Sequence, residues 1–330
     1  VGVVDVHTHY LADALVTAME ARTELPRISG TRDDRVIEYG YGNAAALLPA
    51  MVDLDRQKRE MADASVDAAV LTVNLPGVDW FTPADGAAIA REVNDELADL
   101  VRDDGTRLAA LAVLPMQTPE QAAAELQRAV GNGLQGAMVY SNIAGRPLDA
   151  EATGAVLDAA TELEVPIVIH PTYPLSAATM DAYALIPALG FLVDTTTAIL
   201  RLILGGAYED RPELKLVLCH AGSLLPQLAG RIDYESERHG ARGLGTLDGR
   251  PSERMRLLYT DVVSAWPPAL RSTAELVGTE RMMFGSDYPF WEHSRSREAL
   301  DGAGFQPDEL GRIERDNAAS LFGPFGGAGE

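Results

Sequence analysis

The chain has 330 residues, 47% of them hydrophobic and 23% charged, with one cysteine and a formal net charge of -22. This composition excludes an intrinsically disordered chain and a disulfide scaffold. The acidic excess opposes binding to phosphate backbones and anionic membrane surfaces, so neither a nucleic acid nor a membrane is an expected partner.

The first residues, Val1-Gly2-Val3-Val4-Asp5, have no basic segment ahead of an apolar core, so a cytoplasmic location is the expectation. The stretch from Gly190 to Ala207 is interrupted by Asp194 and Arg201 and reads as too short and polar to span a bilayer. In chain order, strand patterns occur at Val3–His9, Ala68–Val73, Arg107–Pro115, Gly136–Asn142, Pro166–Thr172, Lys215–Ala221, Leu257–Val262 and Met282–Asp287. Helical patterns separate them. One starts at Thr82-Pro83-Ala84-Asp85 and closes at Gly105; another starts at Thr118-Pro119-Glu120-Gln121, read as a capping box, and runs to Gly131.

Near-continuous apolar strands alternating with helices specify a parallel sheet covered by helices, and eight such units predict an α/β fold of the (β/α)8 TIM barrel type. The first strand-to-helix turn, His7-Thr8-His9-Tyr10, lacks the glycine-rich fingerprint of a doubly wound sheet. One domain over 1–322 is expected, with a long insertion after strand 1 (10–50) as a cap, a second excursion at 234–255 and a flexible tail at 323–330.

Four of the six histidines, His7, His9, His170 and His220, fall at or near the C-terminal ends of these strands, where barrel enzymes carry their chemistry. Alternation along a strand puts Asp5, His7 and His9 on one face, with Val4, Val6 and Thr8 on the other. The same counting points Val168 with His170, Leu218 with His220, and Gly285 with Asp287 into the barrel. It points Cys219, read as a packing residue, toward the helices. An H-x-H pair, a third histidine and the carboxylate of Asp287 make a nitrogen and oxygen donor set suited to Zn²⁺, with Mn²⁺, Fe²⁺ or Co²⁺ as alternatives.

The segments Val4-Asp5-Val6-His7-Thr8-His9, Ile169-His170-Pro171, His220-Ala221-Gly222 and Gly285-Ser286-Asp287-Tyr288-Pro289-Phe290 resemble the amidohydrolase superfamily. More narrowly, they resemble its branch of aminocarboxymuconate-semialdehyde and aromatic-acid decarboxylases. The resemblance implies that His7, His9, His170 and Asp287 ligate a single divalent metal, zinc by preference, and that His220 and Asp287 are catalytic. It also implies a homodimer in which Arg231 reaches a substrate carboxylate, either within its own chain or across the interface. Relatives with two metals bridge them with a carboxylated lysine on the fourth strand; this chain has only Lys58 and Lys215, neither at that place. Where the muconate-type enzyme is expected to carry a substrate-binding arginine, this chain reads Asn43-Ala44-Ala45.

The implied activity is non-oxidative decarboxylation of a small aromatic or unsaturated carboxylic acid. The alternative is hydrolysis of an amide, lactone or C–C bond by metal-activated water, with hydration a third reading. Tyr10, Tyr173, Phe290 and Trp291 are candidates for an aromatic slot over the metal. His293 is a candidate substrate contact in an excursion otherwise expected to be solvated, as is His239.

Overall fold

The computed structural model describes residues 2–31, 34–40, 43–240, 247 and 249–326. Eight parallel strands follow the predicted order: β1 (Val4–His9), β2 (Ala68–Thr72), β3 (Leu108–Ala110 continued by Ala112–Val113), β4 (Ala137–Tyr140), β5 (Ile167–His170), β6 (Leu216–Leu218), β7 (Tyr259–Asp261) and β8 (Met282–Met283). Strand pairing forms two arcs, one of three strands through β1, β2 and the first half of β3, and one of six from the second half of β3 to β8. Backbone bonds join the arcs into a barrel, three of them between β1 and the segment Phe284–Tyr288. Leu111 lies between the halves of β3 and its N–H reaches Leu71 at 3.0 Å; at the other seam the Val6 N–H reaches Phe284 at 2.9 Å.

Two apolar layers account for the burial. Val6, Val70, Leu111, Met138, Val168, Val217, Cys219 and Met283 form an inner cluster. Their strand neighbours Leu71, Val139, Ile169 and Leu218 pack outward with helix residues such as Leu97, Leu126 and Ile199. The helix Pro83–Asp104 starts as its sequence suggests, with Thr82 accepting from the Asp85 N–H at 3.2 Å. Its buried Asn94 closes the end of β3, donating to the Val113 carbonyl at 2.9 Å and accepting from the Val113 N–H at 2.8 Å. At Thr118 the proline start is present but the threonine side chain makes no cap bond.

Alternation fails in two places. The register of β1 against β2 slips by one residue between Asp5 and Thr8, so Val4 and Val6 join the inner cluster while His7 and His9 also face inward. Asp5 is thereby separated from the two histidines and meets Ser286 instead. On β6 it is Val217 and Cys219 that face inward, and Leu218 packs toward the helices, the reverse of the predicted orientation.

The insertion after β1 contains a helix, Asp13–Glu20, and a three-stranded antiparallel sheet, Arg27–Ser29, Val36–Gly40 and Asn43–Ala46. The expected excursion at 234–255 is partly regular. The helix Leu225–His239 takes its first residues and a short helix, Pro251–Met255, its last, while 241–246 and 248 lie outside the described residues. Of the C-terminal stretch, Phe325 packs against the inner cluster and the Gly326 N–H reaches Thr106; 327–330 lie outside the described residues. The helical run Ile186–Leu204, contrary to the sequence reading, is long and apolar enough to cross a membrane, with half of it buried in the protein. Its Asp194 is tied inward, accepting from Asn142 Nδ2 at 2.8 Å and from the Leu175 N–H at 3.1 Å.

Candidate metal and catalytic site

His7 and His9 from β1, His170 from the end of β5 and Asp287 just beyond β8 come together at one mouth of the barrel. One donor atom from each lies within 4.8 Å of all the others. The three histidines are almost fully buried and Asp287 is nearly so. Asp287 Oδ1 stands 2.9 Å from His9 Nε2 and 3.4 Å from His7 Nε2. Gly285 permits this closeness, because a Cβ there would lie 2.9 Å from Asp261 Cβ and 3.0 Å from His7 Cβ.

The far nitrogen of each ring is already committed. His7 Nδ1 meets Asp261 Oδ2 at 2.8 Å. His9 Nδ1 meets Thr72 Oγ1 at 3.0 Å, and since that hydroxyl gives its own hydrogen to the Thr8 carbonyl, the imidazole is the donor. His170 Nδ1 donates to the Pro171 carbonyl at 2.7 Å. With Nδ1 protonated in all three, each Nε2 presents a lone pair whenever its ring is neutral. His7 and His9 place theirs 3.2 Å apart, and His170 Nε2 is buried with no hydrogen-bond partner. Facing lone pairs at this separation repel unless a cation lies among them, so the donor set fits a divalent metal.

The electrostatics favour a neutral ring at His9 and His170, and in the absence of a cation a charged one at His7. Burial, followed by its histidine neighbours, holds His170 well below the usual imidazole range. Burial also depresses His9. For His7 burial works in the same direction, but Cys219 and Asp261 beside it outweigh that and raise it well above its ordinary value. Asp287 is pushed up by burial and pulled down further by hydrogen bonds from His220 and His9, so it stays anionic.

His220 approaches by a different route. Strand alternation would turn it away, because Cys219 occupies the inward position on β6. A run of left-handed residues instead brings it back, with φ of 61° at His220, 52° at Ala221, 76° at Gly222 and 54° at Ser223. For the non-glycine residues this costs about 1–2 kcal/mol each. The result is His220 Nε2 at 3.7 Å from Asp287 Oδ2, on the carboxylate edge opposite the metal-facing oxygen. Cys219 is buried beside His7, and burial raises its thiol to about 11.

The remaining sequence candidates divide. Phe290 sets its ring edge-on to His9 at 5.6 Å between centroids; Trp291 is 38% exposed beside it. Tyr173 follows His170 and stacks on Tyr39 of the insertion at 5.9 Å, with its hydroxyl donating to the Gly40 carbonyl at 2.9 Å. Tyr10 is buried and donates to Glu96 at 3.0 Å, which makes it a packing residue of the first turn. His293 corrects the solvated reading: it is buried, stacks on Tyr288 at 4.5 Å and lies 3.5 Å from Asp5. Arg231 is exposed on the helix Leu225–His239, in a shallow groove with Leu200, Leu204, Leu228 and Ile232, and does not reach the site of its own chain. His239 is exposed and pairs with Glu235, as expected.

Sequence reading missed Asp261, Thr72 and Gln57. Gln57 donates to the His9 carbonyl and, at 2.8 Å, to the Ala50 carbonyl, which fixes the end of β1. It also missed Asn74, wholly buried beyond β2 with neither end of its amide hydrogen-bonded. For Thr72 and Asn74 the available signal was a polar residue at or just past the C-terminal end of an otherwise apolar strand; Gln57 lies on the helix Leu54–Asp63 and gave none.

Residues 4–323 match the amidohydrolase family, and the chain belongs to that family. Within it, the chain is similar to named decarboxylases. A 2-amino-3-carboxymuconate-6-semialdehyde decarboxylase of Dictyostelium discoideum is 30% identical over 240 residues, covering 72% of this chain and 67% of its own. A gamma-resorcylate decarboxylase of Rhodococcus jostii is 28% identical over 293 residues, covering 81% and 87%. A solved dihydroxybenzoic acid decarboxylase from a Polaromonas species, with bound manganese and the inhibitor 2-nitroresorcinol, superposes with a TM-score of 0.82 at 24% identity, covering 97% of this chain and 96% of that one.

Proposed function

We propose that the protein is a metal-dependent decarboxylase, a carboxy-lyase acting on a small aromatic or unsaturated carboxylic acid. The observation that carries this reading is the convergence of three Nε2 lone pairs on Asp287, each imidazole oriented through its other nitrogen. His7, His9, His170 and Asp287 are the proposed ligands of one divalent ion, for which zinc and manganese both suit the donors. Bound there, the ion supplies an electrophile for a substrate oxygen beside the carboxylate, drawing off the negative charge left on carbon as CO2 departs.

The two oxygens of Asp287 have separate tasks. Oδ1 faces the histidine ligands, while Oδ2 faces His220. His220 Nε2, 3.7 Å from Oδ2, is the proposed donor of the proton to the carbon that loses CO2. Phe290, edge-on to His9, is the proposed aromatic wall beside the metal. The strand Asn43–Ala46 offers no arginine for a second carboxylate, which favours a monocarboxylate.

Hydrolysis would use the same pair on a water molecule, and the decarboxylase relatives decide between the readings. Metal-loaded protein incubated with ortho-hydroxy aromatic acids should release CO2. Oxygen-18 from labelled water entering the product, without CO2, would establish hydrolysis instead. A homodimer is part of the proposal, seated on the apolar groove around Arg231; sedimentation as a monomer would remove Arg231 from any shared site.

A further inference from the structure

We propose that Asp261, at the end of β7, is a positioning residue that sets the tautomer of His7 and the placement of His220 with a single carboxylate. It rests on the metal-centre reading above. Each oxygen serves one partner group. Oδ2 faces His7 Nδ1 at 2.8 Å, which requires the His7 hydrogen on Nδ1 and leaves Nε2 bare toward the other donors. Oδ1 accepts the N–H of Ala221 at 3.0 Å and that of Val263 at 3.0 Å.

Ala221 is the residue after His220 and lies within the left-handed run that turns His220 back toward Asp287. Such a turn is strained for non-glycine residues and persists only if its polar groups are held. Two braces hold it at Ala221, where Asp261 takes the N–H and Thr273 Oγ1 donates to the carbonyl at 2.7 Å, and Ser223 Oγ adds a third to the run by donating to the Cys219 carbonyl at 3.1 Å. A displacement of Asp261 therefore disturbs a metal ligand and His220 together, although Asp261 touches neither metal nor substrate. Its wholly buried position leaves no water to substitute for it.

Asparagine separates these two tasks. In Asp261→Asn the remaining oxygen must still face the Ala221 and Val263 amides, because an amide NH2 there would oppose two donors. The NH2 then points at His7 Nδ1, which can only accept it, so the His7 hydrogen moves to Nε2 and blocks the metal-facing lone pair. Thr273→Val does the converse, loosening the turn and leaving His7 untouched.

The test is a competition titration of Mn²⁺ or Zn²⁺ against a chelator for wild type, Asp261→Asn and Thr273→Val. A second measurement is nitrogen-15 NMR of histidine-labelled, metal-free protein at alkaline pH, which reads tautomers directly. The expected result is 10–100-fold weaker metal binding in Asp261→Asn and binding within about threefold of wild type in Thr273→Val, with His7 carrying hydrogen on Nδ1 in wild type and on Nε2 in the asparagine variant. Metal binding by Asp261→Asn within about twofold of wild type overturns the proposal. So does a wild-type His7 with its hydrogen on Nε2, a measurement that needs no variant to fold. If wild type binds neither metal, the metal-centre reading fails instead, and the tautomer measurement still decides the role of Asp261.

Discussion

Two buried carboxyl groups on different sides of the barrel mouth, Asp261 at the end of β7 and Asp79 beyond β2, end in opposite states. Burial alone pushes both upward. For Asp261 the hydrogen bond and charge of His7, together with the Ala221 N–H, outweigh that and hold the carboxyl below its ordinary value. For Asp79 burial prevails, with the Met116 N–H at 3.1 Å and the charge of Arg146 as partial compensation, and it rises to about 7. Partners decide ionisation here, and partners are concentrated where β1, β7 and β8 meet. That side fixes donor geometry; the side of β2 and the insertion carries Asn74 with both amide ends unused and Tyr173 stacked against Tyr39.

The largest effects belong to the ligand side. His7→Ala removes one of four donors and leaves Asp261 without its partner. Metal content after gel filtration should fall by more than the roughly 100-fold that loss of a supporting partner costs, and full retention of metal in a His7/His9 double variant would overturn the assignment. His220→Ala should keep its metal, because His220 faces the Oδ2 edge of Asp287, while turnover falls by about 10²–10⁴-fold. Loss of metal in that variant would place His220 among the ligands and merge tasks that the geometry separates.

The ligand side was also the more legible in sequence. His7, His9, His170 and Asp287 are uncommon residue types at strand ends, and their spacing survives any local irregularity. Alternation did not survive. The slip between Asp5 and Thr8 moves Asp5 off the face of His7 and His9, and one added residue in a strand has no compositional signature. His220 comes within 3.7 Å of Asp287 although the predicted orientation of β6 is reversed, since the left-handed turn that brings it there consists of residues other than glycine at His220, Ala221 and Ser223. Asp261 was hidden for another reason. Its role depends on β7 lying across from β1, a contact between residues 254 positions apart.

On the opposite side the effects are smaller and concern stability. Between pH 3.8 and about 7 folded Asp79 keeps a proton that the unfolded chain has released, so its contribution to wild-type stability declines as pH rises through that window. Asparagine imitates the protonated form and can still accept from Met116. Asp79→Asn should therefore gain over wild type progressively from pH 4 to 7 and level off above, by about 2 kcal/mol, under a ceiling near 4 kcal/mol. A stability difference that does not change with pH would mean that Asp79 is ionised in the fold, and the contrast with Asp261 would disappear.

Tyr173 tests whether the insertion is held as firmly as the ligands. Its hydroxyl reaches the Gly40 carbonyl while its ring stacks on Tyr39, so Tyr173→Phe removes one hydrogen bond and preserves the stack. Such a bond contributes about 1 kcal/mol, which corresponds to roughly fivefold faster local opening. Hydrogen exchange at the amides of Val36–Gly40 should accelerate by that factor, with those of β7 and β8 unchanged. Equal acceleration on both sides would show that the insertion and the ligand strands open together. The barrel mouth would then behave as one cooperative unit, and the separation between a side that positions and a side that covers would not hold.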